Sequence, residues 1–442
     1  MENPPLRIVQ VTPGAGKMFC GACLRDNALV TALRKLGHAA MMAPLYLPMT
    51  LDEEDQSAGV PIFFSGINVY LEQQSALFRH APTWLHQALA SPTLLKWASG
   101  AAAKTRPMDL GPMTISMLRG EAGNQARELE ELLDWLRAEK PNVVSLSNAL
   151  LVGMARRIKA ELRVPVLCSL QGEDWFLDAL PSPARELAWQ TATERAADVN
   201  LFISPSRYFA DLMQRRLNLA PERVRVLANG LNLDGYAAAA GQAEAKPPAL
   251  GYFARMCPEK GLETLVNAFI ILKKRARITT LKLRVGGSCG PADEVFVDVL
   301  RARLQANGLL ADVEFHKNLS RADKQAFLRS LSVFSVPAAY GEAFGLYVIE
   351  ALACGVPVVQ PRHAAFPELI AATGGGLLFE PGNEPALADA IESLLLDPPR
   401  ARSLGEAGQK AVQKHFGIET MARQMAELCH EAGRRESAGS SF

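Results

Sequence analysis

Ser332-Val333-Phe334-Ser335-Val336-Pro337 leads through a glycine-bearing turn into Gly341-Glu342-Ala343-Phe344-Gly345-Leu346-Tyr347-Val348-Ile349-Glu350, then Ala351-Leu352-Ala353-Cys354-Gly355-Val356-Pro357-Val358-Val359. The first run reads as a buried strand, the glycine segment as a turn, and Leu346 to Ala353 as the helix that follows. Strand, glycine turn and helix in that order is a unit of parallel α/β sheets. Were Glu342 and Glu350 both helical, their separation at about 3.6 residues per turn would rotate them about 80° apart. With Glu342 in the loop instead, the turn can aim both carboxylates at one ligand. Between them, the first N–H groups of the helix, near Phe344 to Leu346, form an anion site. A carboxylate cannot bind phosphate, so two Glu beside an anion site imply a ligand with both phosphate and hydroxyl groups, and a nucleotide sugar fits that description. The alternative makes Glu342 a helix cap and Glu350 a solvated helix residue.

Working outward, short apolar strands alternate with longer amphipathic segments in both halves, the sequence form of an α/β fold with parallel sheets. A chain of 442 residues exceeds one ordinary core and divides most naturally into two domains. The first, residues 1–236, supplies strands at Leu6 to Val11, Ala39 to Pro44, Val143 to Leu146, Val166 to Leu170, Val199 to Ser204 and Val224 to Leu227, with a helix from about Gly21 to Leu36. Within it, residues 46–123, interrupted by Trp84, Trp97 and several prolines, read as a helical insertion at the site mouth. The Ala-rich stretch 237–248, ending in Lys246-Pro247-Pro248, reads as an interdomain linker. The second domain, 249–416, restarts with Ala249 to Ala254 and continues through Leu281 to Gly287 and Val313 to Phe315 to the opening stretch. Residues 417–436 are expected to form a helix packing back toward the first domain, and the Gly/Ser-rich tail from Ser437 to be disordered.

A net charge of +1 argues against nucleic acid as the main partner, because a phosphate-reading surface carries a basic excess. The strongest basic run, Lys273-Lys274-Arg275-Ala276-Arg277, reads as a solvated helix end. The polar start Met1-Glu2-Asn3-Pro4-Pro5 predicts no signal peptide, and the absence of any charge-free apolar run of about 18 residues predicts no membrane span, so a cytoplasmic location is expected. Interleaved aromatic and basic residues from Phe78 to Trp97 allow weak peripheral membrane contact, the alternative being the core of the insertion. Seven scattered cysteines fit reduced thiols rather than a disulfide framework.

Ligands bind open α/β sheets at the carboxyl ends of strands, where three glycine-rich turns fall. Cys20-Gly21-Ala22 opens a helix after Gly14 and Gly16, as a close backbone approach to a ligand or simply a tight turn. Phe253-Ala254-Arg255-Met256-Cys257-Pro258-Glu259-Lys260-Gly261 leaves a strand with a guanidinium fork and an ammonium point charge, a pair suited to a diphosphate. Gly286-Gly287-Ser288-Cys289-Gly290-Pro291 offers a backbone platform or only a loop. Pro13-Gly14-Ala15-Gly16-Lys17 is not a P-loop, since Met18 replaces the Mg²⁺-binding hydroxyl and Val11 the first glycine. Cys20 and Cys23 have zinc or redox spacing, but no second such pair completes a zinc site, which favours a structural role and leaves a redox one open.

These residues resemble the family 4 glycosyltransferases of GT-B fold, which use nucleotide sugars with retention of anomeric configuration. Nearly the whole chain takes part: Leu36-Gly37-His38, Asn229-Gly230-Leu231-Asn232-Leu233-Asp234, Arg255 with Lys260-Gly261, and Gly341 to Val359. The spacing of Glu342 and Glu350 with its Ala-Cys-Gly-Val-Pro-Val-Val continuation is the specific marker; the glycine turns are weak singly. The resemblance implies two Rossmann-like domains facing a cleft, nucleotide in the second and acceptor in the first. It implies a hexosyltransferase whose donor is a nucleotide sugar, expected to be UDP-based, acting without metal or cofactor on a glycan, lipid or small-molecule acceptor.

By the same resemblance Arg255 and Lys260 neutralise the diphosphate, Glu350 holds the ribose hydroxyls, and Glu342 meets the transferred sugar with backbone N–H groups of Ala343, Phe344, Gly345 and Leu346. Gly21 approaches the diphosphate, Gly287 and Leu319 line the donor site, and the base falls near His316 to Leu319. Gln171 stands where many relatives carry His, so the catalytic set Glu342, Arg255, Lys260 and Gln171 contains a neutral amide that cannot hold a charge. Glu173 and Asp174 either meet the acceptor or cap the helix beginning near Trp175. One extra residue after Pro337 shifts the Glu342 loop from the commonest pattern. Two other readings share the fold: an epimerase or phosphorylase, the latter requiring pyridoxal phosphate on a lysine, and a non-catalytic nucleotide-sugar binder.

Overall fold

The computed structural model describes residues 4–14, 21–47, 51, 53–57, 59–64, 110–236 and 247–439. Cys20, the Phe78 to Trp97 stretch and linker residues 237–246 lie outside them. The chain divides into two compact units, Met1–Gly230 with Ile418–Phe442, and Leu231–Gly417.

In the first unit the order is β1 (Arg7–Thr12), α1 (Gly21–Lys35), β2 (Ala39–Pro44), α2 (Gly111–Arg119), α3 (Ala126–Glu139), β3 (Val143–Leu146), α4 (Ala155–Leu162), β4 (Val166–Ser169), α5 (Glu173–Asp178), α6 (Ala184–Ala196), β5 (Leu201–Ser204), α7 (Arg207–Arg216) and β6 (Val224–Val226). The strands form one parallel six-stranded sheet ordered β2-β1-β3-β4-β5-β6, with Val9 opposite Met41 on one side and Val144 on the other. β3, β4 and β5 are buried at every position, as expected of strands covered by helices on both faces.

The second unit runs β7 (Ala249–Phe253), α8 (Leu262–Arg275), β8 (Lys282–Gly287), α9 (Pro291–Ala306), β9 (Val313–Lys317), α10 (Arg321–Arg329), β10 (Val333–Phe334), α11 (Leu346–Ala353), β11 (Val358–Pro361), α12 (Phe366–Thr373), β12 (Gly376–Phe379), α13 (Glu384–Leu395) and α14 (Pro398–His415). Its sheet is parallel and ordered β12-β11-β10-β7-β8-β9. The chain then re-enters the first unit as α15 (Ile418–Gly439), whose Met421, Met425 and Cys429 share a core with Leu29 and Leu33 of α1 and with Ile8 and Met42.

Residues 231–236, assigned above to the first domain, pack with the second unit. Arg321 and Gln325 of α10 donate to the carbonyls of Asn232 and Asp234 at 2.9 and 2.8 Å. The expected strand Ser332 to Pro337 contributes only Val333–Phe334 to the ladder, because the chain turns at once, Ala338 N–H reaching the Val336 carbonyl at 2.8 Å. β11 and β12 extend the sheet beyond the strands read from sequence. The basic run at the end of α8 is ion-paired rather than bare: Lys273 with Asp312, Arg275 with Asp389 and Arg277 with Glu392.

The position of the site follows from the strand order. From β7 the chain moves outward through β8 and β9, then crosses back to lay β10 on the other side of β7. Loops leaving two neighbouring strands in opposite directions open a crevice at their carboxyl ends, the place where such sheets bind ligands. Arg255 and Lys260 are on the loop after β7, and Glu342 on the loop after β10.

Candidate functional site

These two loops are laced together. Ala339 N–H donates to Glu259 O at 2.9 Å, and Gly261 takes φ +73° so close to the β10 loop that a Cβ there would stand 1.8 Å from Pro337 O. Only glycine fits. Lys260, just before that glycine, therefore meets Glu342: its Nζ donates to Glu342 Oε2 at 2.6 Å, and the same oxygen accepts the hydroxyls of Tyr347 at 2.8 Å and Tyr340 at 3.1 Å. Lys260 also donates to the Tyr340 hydroxyl, and its ammonium lies 4.8 and 5.4 Å from the ring centroids of Tyr340 and Tyr347. Burial pushes the Glu342 carboxyl up, but the Lys260 charge and the three hydrogen bonds outweigh it and hold the group below its ordinary range.

Glu342 does not cap α11. The N-cap is Gly345, at φ +92°, with no side-chain cap bond. Ala343 and Phe344 turn their side chains into the core, Phe344 against Phe416 at 6.2 Å between centroids, while Leu346 begins the helix. Glu350 is not a solvated helix residue either. Its side chain is 13 % exposed, and Oε1 accepts the Tyr236 hydroxyl and Lys324 Nζ, both at 2.8 Å.

Arg255 is gripped by Asp293 of α9, with Nε 3.1 and 3.2 Å from the two carboxylate oxygens and Nη2 2.9 Å from Oδ1. Both cations expected to meet a diphosphate are thus ion-paired with carboxylates. Gly287 ends β8 with φ +136°, where a Cβ would stand 1.8 Å from Ala254 O. Its carbonyl accepts Asn318 N–H at 2.9 Å, which places half-buried Leu319 one residue beyond this cross-strand step. Sequence reasoning missed Asp293, Tyr236, Tyr340, Tyr347, Lys324 and Asn318. Asp293 alone left a local signal, a helix start with Pro at its first position and Asp two residues later.

The first-unit candidates form a separate group. Gly21 is the exposed first residue of α1. Gln171 follows β4, and its N–H donates to Glu173 Oε2 at 2.5 Å, while Glu173 Oε1 accepts Ala149 N–H at 3.0 Å. Glu173 is buried, so it fastens two strand-end loops instead of presenting a carboxylate to an acceptor. It does not cap a helix starting near Trp175 either, since α5 starts at Glu173 itself with Gly172 as N-cap. Burial pushes its carboxyl up to about 7 against those backbone bonds, and neighbouring Asp174 adds to the rise. Asp174 is half-buried, its own carboxyl raised by burial. Under α1 lies a further unforeseen group: Arg25 Nε pairs with buried Asp26 at 2.9 Å, and Thr12 donates to the same carboxylate at 2.8 Å.

Among the described residues, no cluster of three or more His, Cys, Asp or Glu could hold a metal ion, and no helix is long and apolar enough to cross a membrane.

Two family models match side by side, "Glycosyltransferase Family 4" over residues 28–234 and "Glycosyl transferases group 1" over 238–411. The chain is 30 % identical over 196 residues to a GDP-mannose-dependent alpha-(1-6)-phosphatidylinositol monomannoside mannosyltransferase of Mycolicibacterium smegmatis, covering 43 % of this chain and 49 % of that one. It is 30 % identical over 268 residues to a D-inositol 3-phosphate glycosyltransferase of Streptomyces bingchenggensis, covering 58 % and 57 %. The chain spans about half the length of the curated relatives it matches. Among solved structures it resembles sucrose-phosphate synthase from Thermosynechococcus elongatus, with TM-score 0.71 and 19 % identity over 96 % of this chain and 98 % of that one. It also resembles Anabaena HepE in complex with UDP, with TM-score 0.67 and 17 % identity over 96 % and 100 %. With two parallel six-stranded sheets and family matches lying end to end along it, the chain belongs to the family 4 glycosyltransferases of GT-B fold.

Proposed function

We propose that this protein transfers a hexose from a nucleoside-diphosphate sugar to a hydroxyl-bearing acceptor with retention of anomeric configuration. The observation that carries the reading is the meeting of the two loops at the β7–β10 crossover, which sets Lys260 beside an ionised Glu342 one loop away from Arg255. A diphosphate would take the Lys260 ammonium and the Arg255 N–H groups that Asp293 does not hold, and the sugar hydroxyls would fall to Glu342. The acceptor oxygen attacks the anomeric carbon from the side of the leaving group. The bond to the diphosphate breaks as the new glycosidic bond forms, and a diphosphate oxygen takes the acceptor's proton. Arg255 and Lys260 stabilise the charge that develops on the departing nucleotide, and this is the step in which they lower the barrier. No metal or cofactor enters the proposed step, and Gln171 takes part as a neutral hydrogen-bonding group.

For the base, the family resemblance leads to an expectation of uridine, and the HepE structure is a complex with UDP, whereas the Mycolicibacterium relative is named for GDP-mannose. Titration calorimetry with UDP, GDP, UDP-glucose and GDP-mannose separates the two. Binding of either pair, lost in Arg255→Ala and Lys260→Ala, is the expected result, followed by transfer to a glycan, phosphatidylinositol or inositol phosphate acceptor. Undiminished nucleotide binding in both variants overturns the assignment, and binding without transfer to any acceptor supports a non-catalytic binder instead.

A further inference from the structure

Asp293 does two things at once. As the third residue of α9 it accepts Gly290 N–H at 3.0 Å, closing the helix start, and it holds Arg255 through three contacts of 2.9 to 3.2 Å. The pair is lopsided: the Arg255 side chain is 56 % exposed and that of Asp293 only 8 %. An ion pair with so exposed an arginine adds little to stability. Its consequence is geometric. A guanidinium is a rigid planar fork, and Asp293 takes the edge formed by Nε and Nη2. Among the described residues Nη1 makes no hydrogen bond, so the neighbouring edge, Nη1 with the second N–H of Nη2, is left for a second anion on a side chain more than half exposed. The backbone under the fork is fixed as well, since the Tyr252 hydroxyl donates to Arg255 O at 2.8 Å and Met256 N–H to Ser288 O at 2.9 Å.

We propose that Asp293 is a positioning residue for the nucleoside diphosphate: it orients Arg255 so that the remaining N–H groups of the guanidinium donate to the phosphate, and it acts only through that arginine. This rests on the diphosphate role given to Arg255 above. A long flexible side chain that is already aligned loses less freedom when the ligand arrives. Asp293 does not compete for the same edge, and binding leaves its contacts in place.

Calorimetric titration of UDP and GDP into the wild type, Arg255→Ala, Asp293→Asn and the double variant tests this. The amide of Asp293→Asn still offers an oxygen to Gly290 N–H, so the α9 start survives, and an unchanged melting temperature checks it. Each single variant is expected to weaken nucleotide binding about tenfold, and the double variant no further, because sites acting through one contact are not additive. Losses that multiply to about a hundredfold in the double variant, an unaffected Asp293→Asn, or tighter binding in Asp293→Asn each overturn the proposal. If Arg255→Ala itself binds both nucleotides as well as the wild type, the diphosphate assignment fails, and the role of Asp293 fails with it.

Discussion

Glu342 and Glu173 are both carboxylates near a glycine-opened helix at the end of a parallel strand, and their surroundings set them apart. Gly345 at φ +92° caps α11 after Glu342, and Gly172 at φ +95° caps α5 before Glu173. Glu342 is met by an ammonium and two phenol hydroxyls, and its carboxyl is held below the ordinary range. Among the described residues Glu173 is hydrogen-bonded by backbone N–H groups, those of Ala149 and Gln171 included, and by no cation, and burial carries its carboxyl up to about 7. At Glu173 the hydrogen bonds do not offset the desolvation of the carboxylate, whereas at Glu342 hydrogen bonds together with an opposite charge do. One carboxylate is therefore held toward its anion and the other is pushed up to about 7.

The largest effect should come from making Glu342 resemble Glu173. Among the described residues Lys260→Ala removes the one cation bonded to Glu342 and leaves a largely buried carboxylate with two phenols. Breaking a buried pair in this way costs about 3 kcal/mol. The loss should be greatest near pH 8 and partly recovered near pH 5, because the unpaired Glu342 then takes up a proton on folding. Urea unfolding at both pH values measures it, and equal losses at the two would show that Lys260 does not set the state of Glu342.

The next effect is the pH dependence that Glu173 already carries. Its folded-state value lies above the unfolded one, so the folded chain binds the proton more tightly. That stability is complete below the unfolded value of about 4.3 and is lost as pH rises through about 7, with a slope approaching about 1.4 kcal/mol per unit between them. Glu342, lowered instead, contributes nothing to the slope in that window, since its stability is lost only on the acid side. Glu173→Gln should flatten the profile between pH 5 and 7, read by unfolding or by amide exchange at Ala149 and Gln171. An unchanged slope would assign the titration to another group.

The contrast also explains what the sequence revealed. Arg255, Lys260, Glu342 and Glu350 were legible because each lies at a strand end or on the helix after it, where a local pattern of apolar run, glycine and helix fixes the position. Their partners were not. Asp293, Lys324 and Tyr236 reach the site from α9, α10 and the segment before residue 237, elements joined to it only by strand order. Glu173 and Asp174 are adjacent carboxylates on a helix too short for periodicity to show which one faces inward. β11 and β12 escaped for a related reason, since β11 follows α11 with no polar break and β12 starts at the last glycine of Gly374-Gly375-Gly376, which reads as a turn.

A smaller perturbation moves one donor of Glu173. Gly172→Ala forces an L side chain into the left-handed region at φ +95°, a cost of roughly 1 to 2 kcal/mol. Relief of that strain is expected to shift the adjacent Gln171 N–H away from Glu173 Oε2. The Glu173 midpoint should then rise above that of the wild type in a carboxyl titration, and a fall would mean that Gln171 does not stabilise the anion.

Tyr347→Phe makes the matching change at Glu342 and should be the mildest. The Tyr347 hydroxyl is one of three donors to Oε2, and Lys260 and Tyr340 remain on the same oxygen. Loss of one such bond costs about 1 kcal/mol when the acceptor keeps other partners. The ring still packs against Phe334 and Phe366, at 6.3 and 6.5 Å between centroids, so no cavity opens. Because the ammonium stays, Glu342 should remain ionised at neutral pH, and the loss should be the same at pH 6 and pH 8. A loss that grows with pH would show that the phenol, and not the Lys260 charge, keeps this carboxylate ionised, and the distinction between the two glutamates would then rest on the number of donors rather than on charge.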